Sequence, residues 1–267
     1  MTTGSNEHTA NQSAAVIRAD QISIGYPGRK VGSELSLYVF DHEVLCLLGP
    51  NGSGKSTLFK TMLGLIPALA GSVYVKGRAL SQWSRAELAC HVAYVPQALE
   101  GVFPFTVHEI VLMGRSARLG RFSGPSRHDD DIANQCLEQM GIAHLADRVY
   151  TEISGGERQL ALIARALAQQ PAVMVMDEPT ASLDFGNQIR VLEQIEKMRG
   201  QGMGILLCTH QPDHALRVAD RIALLKHGQL RHVGPAARTA TIPNLAWLYD
   251  LDESVVAASL PVSVVHK

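Results

Sequence analysis

Residues Gly49–Thr57 read GPNGSGKST, and this stretch restricts the chain more than any other. It follows EVLCLLG, a continuous apolar run of the kind that forms a strand buried on both faces. A helix is expected from about Lys55. Strand, glycine-rich turn and helix, in that order, is the context in which Gly49, Gly54, Lys55 and Ser56, spaced Gly-x-x-x-x-Gly-Lys-Ser, build an anion cradle of the P-loop type. The glycines, with Pro50, Asn51, Gly52 and Ser53 in the same loop, let successive backbone N–H groups converge on one phosphate. The positive end of the helix dipole adds to that field.

The rest of the chain supplies the frame. AVIRADQISIGY and ELSLYVF read as strands with PGRK as the turn between them, and GSVYVKG and HVAYVPQ as two more. From about Leu99 to Gln169 strand patterns give way to helical ones, TVHEIVLMGRSARL and RHDDDIANQCLEQMGI among them, so a helical lobe is inserted there. ERQLALIARALA places Leu160, Ile163, Ala164 and Leu167 on one helix face. After the lobe come a buried strand, AVMVM, a helix stopped by Gly200, a third buried strand, GILLCTH, and a hairpin turning at His227-Gly228. Buried strands alternating with helices predict an α/β fold with a parallel sheet. Residues 1–14 are expected to be a disordered tail, 15–238 the folded domain and 239–267 a C-terminal extension.

Several polar residues end the predicted strands, where an α/β sheet opens its ligand crevice. In the cradle itself Lys55 should reach β- and γ-phosphates, the Ser56 hydroxyl should ligate Mg2+ and Thr57 could bond an α-phosphate. Asp177 closes AVMVM and is the natural carboxylate for the metal, while Glu178 could take the proton of an attacking water. His210 ends the next strand and could touch a γ-phosphate or that water. Gln97, closing HVAYVPQ, could sense both metal and γ-phosphate, and Tyr26 in IGYPG could stack on an adenine. His210 and His214 form H-x-x-x-H, but the glutamate of a zinc-protease helix is missing and Pro212 starts a helix after His210, so the pair is not read as a metal site.

A second cradle-like stretch is EISGGERQLALIARALAQQ, Glu152–Gln170. Ser154 and Glu157 are spaced as a capping box, which explains the serine and the glutamate. It does not explain Gly155 and Gly156, which weaken a first helical turn unless something approaches the backbone closely. The set GPNGSGKST, Gln97, ISGGERQ, VMVMDEPT, ASLD and TH, in this order, resembles the ATP-binding-cassette (ABC) ATPases from about Ala15 to Gly234. Position 153 is Ile where leucine is usual, and 157 is Glu where glutamine is common.

The resemblance implies a P-loop NTPase (RecA-like) core with a parallel sheet, an N-terminal antiparallel β subdomain and an inserted α-helical subdomain at about 99–169. It implies that Ser154, Gly155 and Gly156 cap the ATP of a second, head-to-tail copy, whose own Lys55 completes that site. Ser182, Leu183 and Asp184 would line the seam between copies, and Tyr26 would stack on adenine. VLMGR, RQLALIARALAQ and THQPDHAL are similar to ATPase subunits of bacterial type II importers of metal chelates such as iron–siderophores, haem or cobalamin, and of molybdate-type oxyanions, the branch that THQP resembles more. Such subunits sit on the cytoplasmic face of the inner membrane and receive a permease helix in a groove. Here that groove would run from Gln97 to about Arg115, with Phe103, Pro104 and Phe105 as contacts. A binding protein is an indirect partner.

Composition narrows the alternatives. Apolar residues are 46% of the 267 and the formal net charge is -1, so no basic excess points to a nucleic-acid backbone. No apolar run reaches ~18 residues, so no transmembrane helix is expected, and the polar N-terminus has no signal-peptide core. The four cysteines, Cys46, Cys90, Cys136 and Cys208, show no metal or disulfide spacing. The alternative is a soluble ABC-type ATPase of DNA repair or translation. It would call for a coiled-coil insertion or two cassettes in one chain. A non-hydrolysing nucleotide sensor is the third class, and it conflicts with the full catalytic set.

Overall fold

The computed structural model describes residues 14–97, 104–120, 123–181 and 183–260. In chain order the strands are β1 (Ile17–Tyr26), β2 (Arg29–Val39), β3 (Val44–Leu48), β4 (Ala70–Val75), β5 (Arg78–Ala79), β6 (Val92–Val95), β7 (Val173–Asp177), β8 (Gly204–Thr209), β9 (Arg221–Lys226) and β10 (Gln229–Pro235). The α-helices are α1 (Lys55–Met62), α2 (Arg85–Ala89), α3 (Val107–Leu112), α4 (Arg127–Gln139), α5 (Gly155–Ala168), α6 (Phe185–Gly200), α7 (Pro212–Val218), α8 (Ala236–Thr239), α9 (Ile242–Tyr249) and α10 (Glu253–Ser259). They fall into two compact units, one built from the chain up to Gln82 and from Arg199 onward, the other from Trp83–Met198.

In the first unit, β2, β1, β4 and β5 form an antiparallel sheet in that order. Arg29 and Lys30 already pair with Tyr26 and Gly25, so the turn expected over PGRK contracts to Pro27-Gly28. Proline presets a negative φ at the first central position, and Gly28 supplies the positive φ (76°) needed at the second. β3 lies between β8 and β9 and runs parallel to both. All five of its residues are buried, as an unbroken apolar run requires. β10 returns antiparallel to β9 across His227-Gly228, both at positive φ (49° and 71°), which is the backbone a type I′ turn demands. The C-terminal extension contains two helices, α9 and α10.

In the second unit, β6 and β7 pair in parallel, and α3, α4 and α5 pack on one another. Capping boxes start all three helices, at Thr106 with Glu109, Ser126 with Asp129 and Ser154 with Glu157. α5 buries Leu160, Ile163, Ala164 and Leu167 as its periodicity requires. It also buries Ala161, Leu162, Ala166 and Ala168, because it touches both α3 and α4. The continuous helix expected over TVHEIVLMGRSARL breaks after Leu112 into a 3-10 segment, Met113–Arg118. There Arg115 turns inward. Its Nε donates to Asp129 Oδ1 at 2.8 Å and its Nη1 to the Ala168 carbonyl at 2.7 Å and Gln170 Oε1 at 3.1 Å. A buried arginine closing the helical lobe is not available to a surface groove.

Asp129 serves two helices. One carboxylate oxygen meets Arg115; the other accepts from the Ser126 hydroxyl at 2.6 Å at the start of α4. These bonds, Ser126 first and then Arg115, hold its carboxyl well below the usual carboxylate range. A carboxyl depressed on folding stabilises the fold above its unfolded value of about 3.9 and loses that contribution as pH falls through the lower folded value. Asp129→Asn is therefore expected to lower Tm by several degrees near neutral pH, because the buried Arg115 loses its counter-charge. The gap from wild type should narrow below about pH 4 in melts followed by circular dichroism. A gap that stayed constant with pH would mean the pair is not the cause.

No helix among the described residues is long and apolar enough to cross a membrane. None of the four cysteines is in a disulfide, and burial pushes the Cys136 thiol up to about 11, which marks it as a packing residue.

Candidate functional site

β3 delivers the chain to Gly49, and α1 begins at Lys55. Between them Gly54, the residue before α1, stands at φ 108°, a conformation that side chains with a Cβ rarely adopt. The first turn of α1 contains no acidic residue to compete for its N–H groups. Lys55 is buried, and its Nζ donates to the carbonyls of Gly49 at 2.7 Å and Pro50 at 3.3 Å, so the ammonium lies across its own loop. Ser56 is exposed in the first turn, with Thr57 half-buried beside it. The loop is pinned from behind, for Gly228 N donates to the Ser53 carbonyl at 3.0 Å. The buried Ser53 hydroxyl has no hydrogen-bond partner among the described residues. A buried unpaired hydroxyl in a loop of converging amides fits an oxygen-rich anion.

Strand register places His210 in this unit. Leu48 of β3 pairs with Thr209 of β8, so Gly49 and His210 leave neighbouring parallel strands at the same edge. His210 is exposed, and the Thr209 hydroxyl oxygen accepts from Gln211 N at 3.1 Å. His214, one turn on, is buried in α7, where desolvation pushes its imidazole down. It is a packing residue. Tyr26 ends β1 with 42% of its surface exposed, enough for an open ring face.

The second unit carries the carboxylates. Asp177 is the last residue of β7 and is buried, and the Tyr94 hydroxyl donates to its Oδ2 at 3.4 Å. Glu178, also buried, sits in the left-handed region at φ 50°, which costs an ordinary residue roughly 1 kcal/mol and turns the chain sharply off the strand. Val95 pairs with Met176, so the segment carrying Gln97 leaves β6 beside Asp177 and Glu178. Gln97 lies two residues beyond the end of β6 rather than closing it, and is exposed.

The Ser154 loop shows the capping box expected of it. Ser154 N donates to Glu157 Oε2 at 2.8 Å, and the Ser154 hydroxyl oxygen accepts from Glu157 N at 3.3 Å. The two glycines have different surroundings. A Cβ on Gly155 would meet nothing within 4 Å, so that position is open to an approaching group. A Cβ on Gly156 would stand 2.2 Å from Asn187 Cγ, so the second glycine makes room for a side chain of the same protein. Asn187, which sequence reasoning missed, is held there by Asp184. Its N donates to Asp184 Oδ1 at 2.9 Å and its Nδ2 to Oδ2 at 2.7 Å. Those bonds, the backbone one first, keep the Asp184 carboxyl below its ordinary value. The Asp-x-x-Asn spacing at the head of α6 was the available signal. Ser182 and Phe103 lie outside the described residues, while Pro104 is exposed and Phe105 38% exposed.

The family model described as ABC transporter matches residues 33–181. A Haemophilus influenzae protein described as an uncharacterized ABC transporter ATP-binding protein is 44% identical over 241 residues, covering 90% of this chain and 92% of its own. The hemin import ATP-binding protein HmuV of Gloeobacter violaceus is 39% identical over 226 residues, 82% of each chain. Among solved structures, a metal-chelate type ABC transporter in an inward-facing conformation superposes with a TM-score of 0.79 at 32% identity, covering 88% of this chain and 89% of that one. The α/β fold with its P-loop core is thereby that of the ABC ATPases. The chain belongs to the ABC transporter family, and as one of its ATPases it binds ATP and couples ATP hydrolysis to transport.

Proposed function

We propose that this chain is the nucleotide-hydrolysing subunit of a metal-chelate importer, acting as a head-to-tail pair on the cytoplasmic face of a membrane permease. The observation that carries the cargo class is the 39% identity to a hemin import subunit over 82% of both chains. The likeness to a metal-chelate type transporter agrees with it. A chelate is favoured over an oxyanion on the same ground, and over a role in DNA repair or translation. Residues 15–238 would be the ATPase domain, with about 99–169 as the helical subdomain that moves on closure and 239–267 as an extension.

In this reading the loop Gly49–Thr57 holds the phosphates through its amides, Lys55 neutralises the β- and γ-oxygens, and Tyr26 stacks on the adenine. Ser56, Asp177 and Gln97 would hold Mg2+; a hydroxyl, a carboxylate and an amide oxygen form the hard donor set that ion takes. When bound, Mg2+ neutralises charge on the phosphate oxygens. Glu178 accepts a proton from the water whose oxygen attacks the γ-phosphorus, and ADP leaves with the bridging oxygen. His210 contacts the γ-phosphate. From the second copy, Ser154 and Gly155 cap the same ATP, and Asp184 steadies the seam. Closure of the pair moves the helical lobes and the permease with them.

The test is affinity purification of the tagged full chain from detergent-solubilised native membranes, with mass spectrometry of what comes with it. A multi-spanning permease is expected. Its binding protein should then take up a haem or an iron chelate in preference to molybdate. Co-purification with ribosomal or DNA-bound proteins alone would transfer the reading to the soluble ABC ATPases.

A further inference from the structure

We infer that α9, in the C-terminal extension, is a strut that sets the position of the His210 turn, with Tyr249 as the positioning residue. The inference rests on the reading of His210 as a γ-phosphate contact. Its physical basis is a chain of bonds inside the first unit that links the phosphate loop to His210 by way of the extension.

The C-terminal turn of α9 is tied toward the loop. Gly228, at the tip of the β9–β10 turn, donates to the Ser53 carbonyl at 3.0 Å. Two residues earlier, Lys226 ends β9 and is buried. Its Nζ donates to the Trp247 carbonyl at 2.6 Å and to Asp250 Oδ1 at 2.5 Å. A lysine at the last carbonyls of a helix satisfies them and complements the negative end of the dipole. Asp250 follows α9 in the left-handed conformation, φ 56°, which stops the helix at this point. Leu245 and Leu248 bury the inner face of α9, so the helix is fixed in position and not merely tethered.

The same C-terminal turn of α9 reaches His210. The Tyr249 hydroxyl donates to the His210 carbonyl at 2.8 Å. Both residues line a cleft of about 390 Å³ whose other walls include Pro212, Leu251, Val256 and Leu260. At the wall of this mostly apolar cleft the tyrosine hydroxyl holds the carbonyl of His210, itself an exposed residue. Pro212 at the start of α7 restricts the turn from the opposite side. Movement of Lys226 is thus carried through the C-terminal turn of α9 to His210, and a helix outside the ATPase motifs gains a hold on the ATP site.

Tyr249→Phe separates the bond from the packing, since the ring stays and only the hydroxyl goes. ATP hydrolysis by the purified full chain should lose on the order of 10-fold in kcat, the scale of a small misplacement in an active site, with KM for ATP and Tm close to wild type. His210→Ala is measured beside it. If His210→Ala keeps full turnover, the role of His210 fails and the strut with it. If His210→Ala is inactive and Tyr249→Phe turns over like wild type, the strut alone is wrong. Should Tyr249→Phe lower kcat and Tm together, Asp250→Asn decides. It weakens the Lys226 tie beside Tyr249 while keeping a residue that tolerates the left-handed backbone, and a kcat loss read well below both melting points supports the strut, whereas unchanged kcat there overturns it.

Discussion

Glu178→Gln is expected to retain ATP binding and to lose at least ~10²-fold in turnover, the lower end of what a general base contributes. The substitution changes charge and basicity but hardly volume, so a buried side chain at a strand end should keep its place. The left-handed backbone at Glu178 is set by the turn after β7, where Ala181 N donates to the Glu178 carbonyl at 3.0 Å, and does not depend on the carboxylate. The amide cannot take a proton from water, so the pair should close on ATP and stay closed. Light scattering should then show a mass twice that of the monomer in ATP and a return to monomer in ADP. Turnover at wild-type rate in this variant would remove Glu178 from the chemistry and leave the binding loops untouched.

Lys55→Ala should act one step earlier and weaken ATP binding itself. The Nζ that spans the Gly49 and Pro50 carbonyls is a buried cation inside the loop, placed where phosphate oxygens would compete for it. Hydrogen bonds to charged groups are worth about 1.5–3 kcal/mol, so the dissociation constant should rise about 10- to 100-fold. Lys55→Arg should not restore binding, because a planar fork does not replace a compact ammonium in a space lined by backbone. Titration with a fluorescent ATP analogue reads both variants, and a melt checks that the loop survives. Binding at wild-type strength in Lys55→Ala would place the phosphates elsewhere.

These two expectations need nothing beyond the sequence, and the reason is local. The P-loop is a strand, a turn and a helix start within a short stretch. Apolar runs such as Val44–Leu48 and Val173–Asp177 announce strands covered on both faces. A carboxylate or histidine following such a run is carried to the sheet's edge by geometry that neighbouring residues determine among themselves. The Ser154 capping box is equally local, and it forms as its spacing says.

What the sequence could not decide depends on residues far apart along the chain. It assigned both glycines of the Ser154 loop to an approaching phosphate, yet Gly156 makes room for Asn187, which no periodicity connects to it. It treated Arg115 as the rim of a groove, yet Asp129 and the Ala168 carbonyl draw it inside, because a buried guanidinium is held wherever carboxylate and carbonyl oxygens can surround it. It left the C-terminal extension without a role, and only the tertiary structure brings Tyr249 within 2.8 Å of the His210 carbonyl. Hydrophobic period, capping and turn chemistry are written in neighbours and were legible. Which distant polar group satisfies which buried or strained one is settled by packing, and packing exists only in the folded chain.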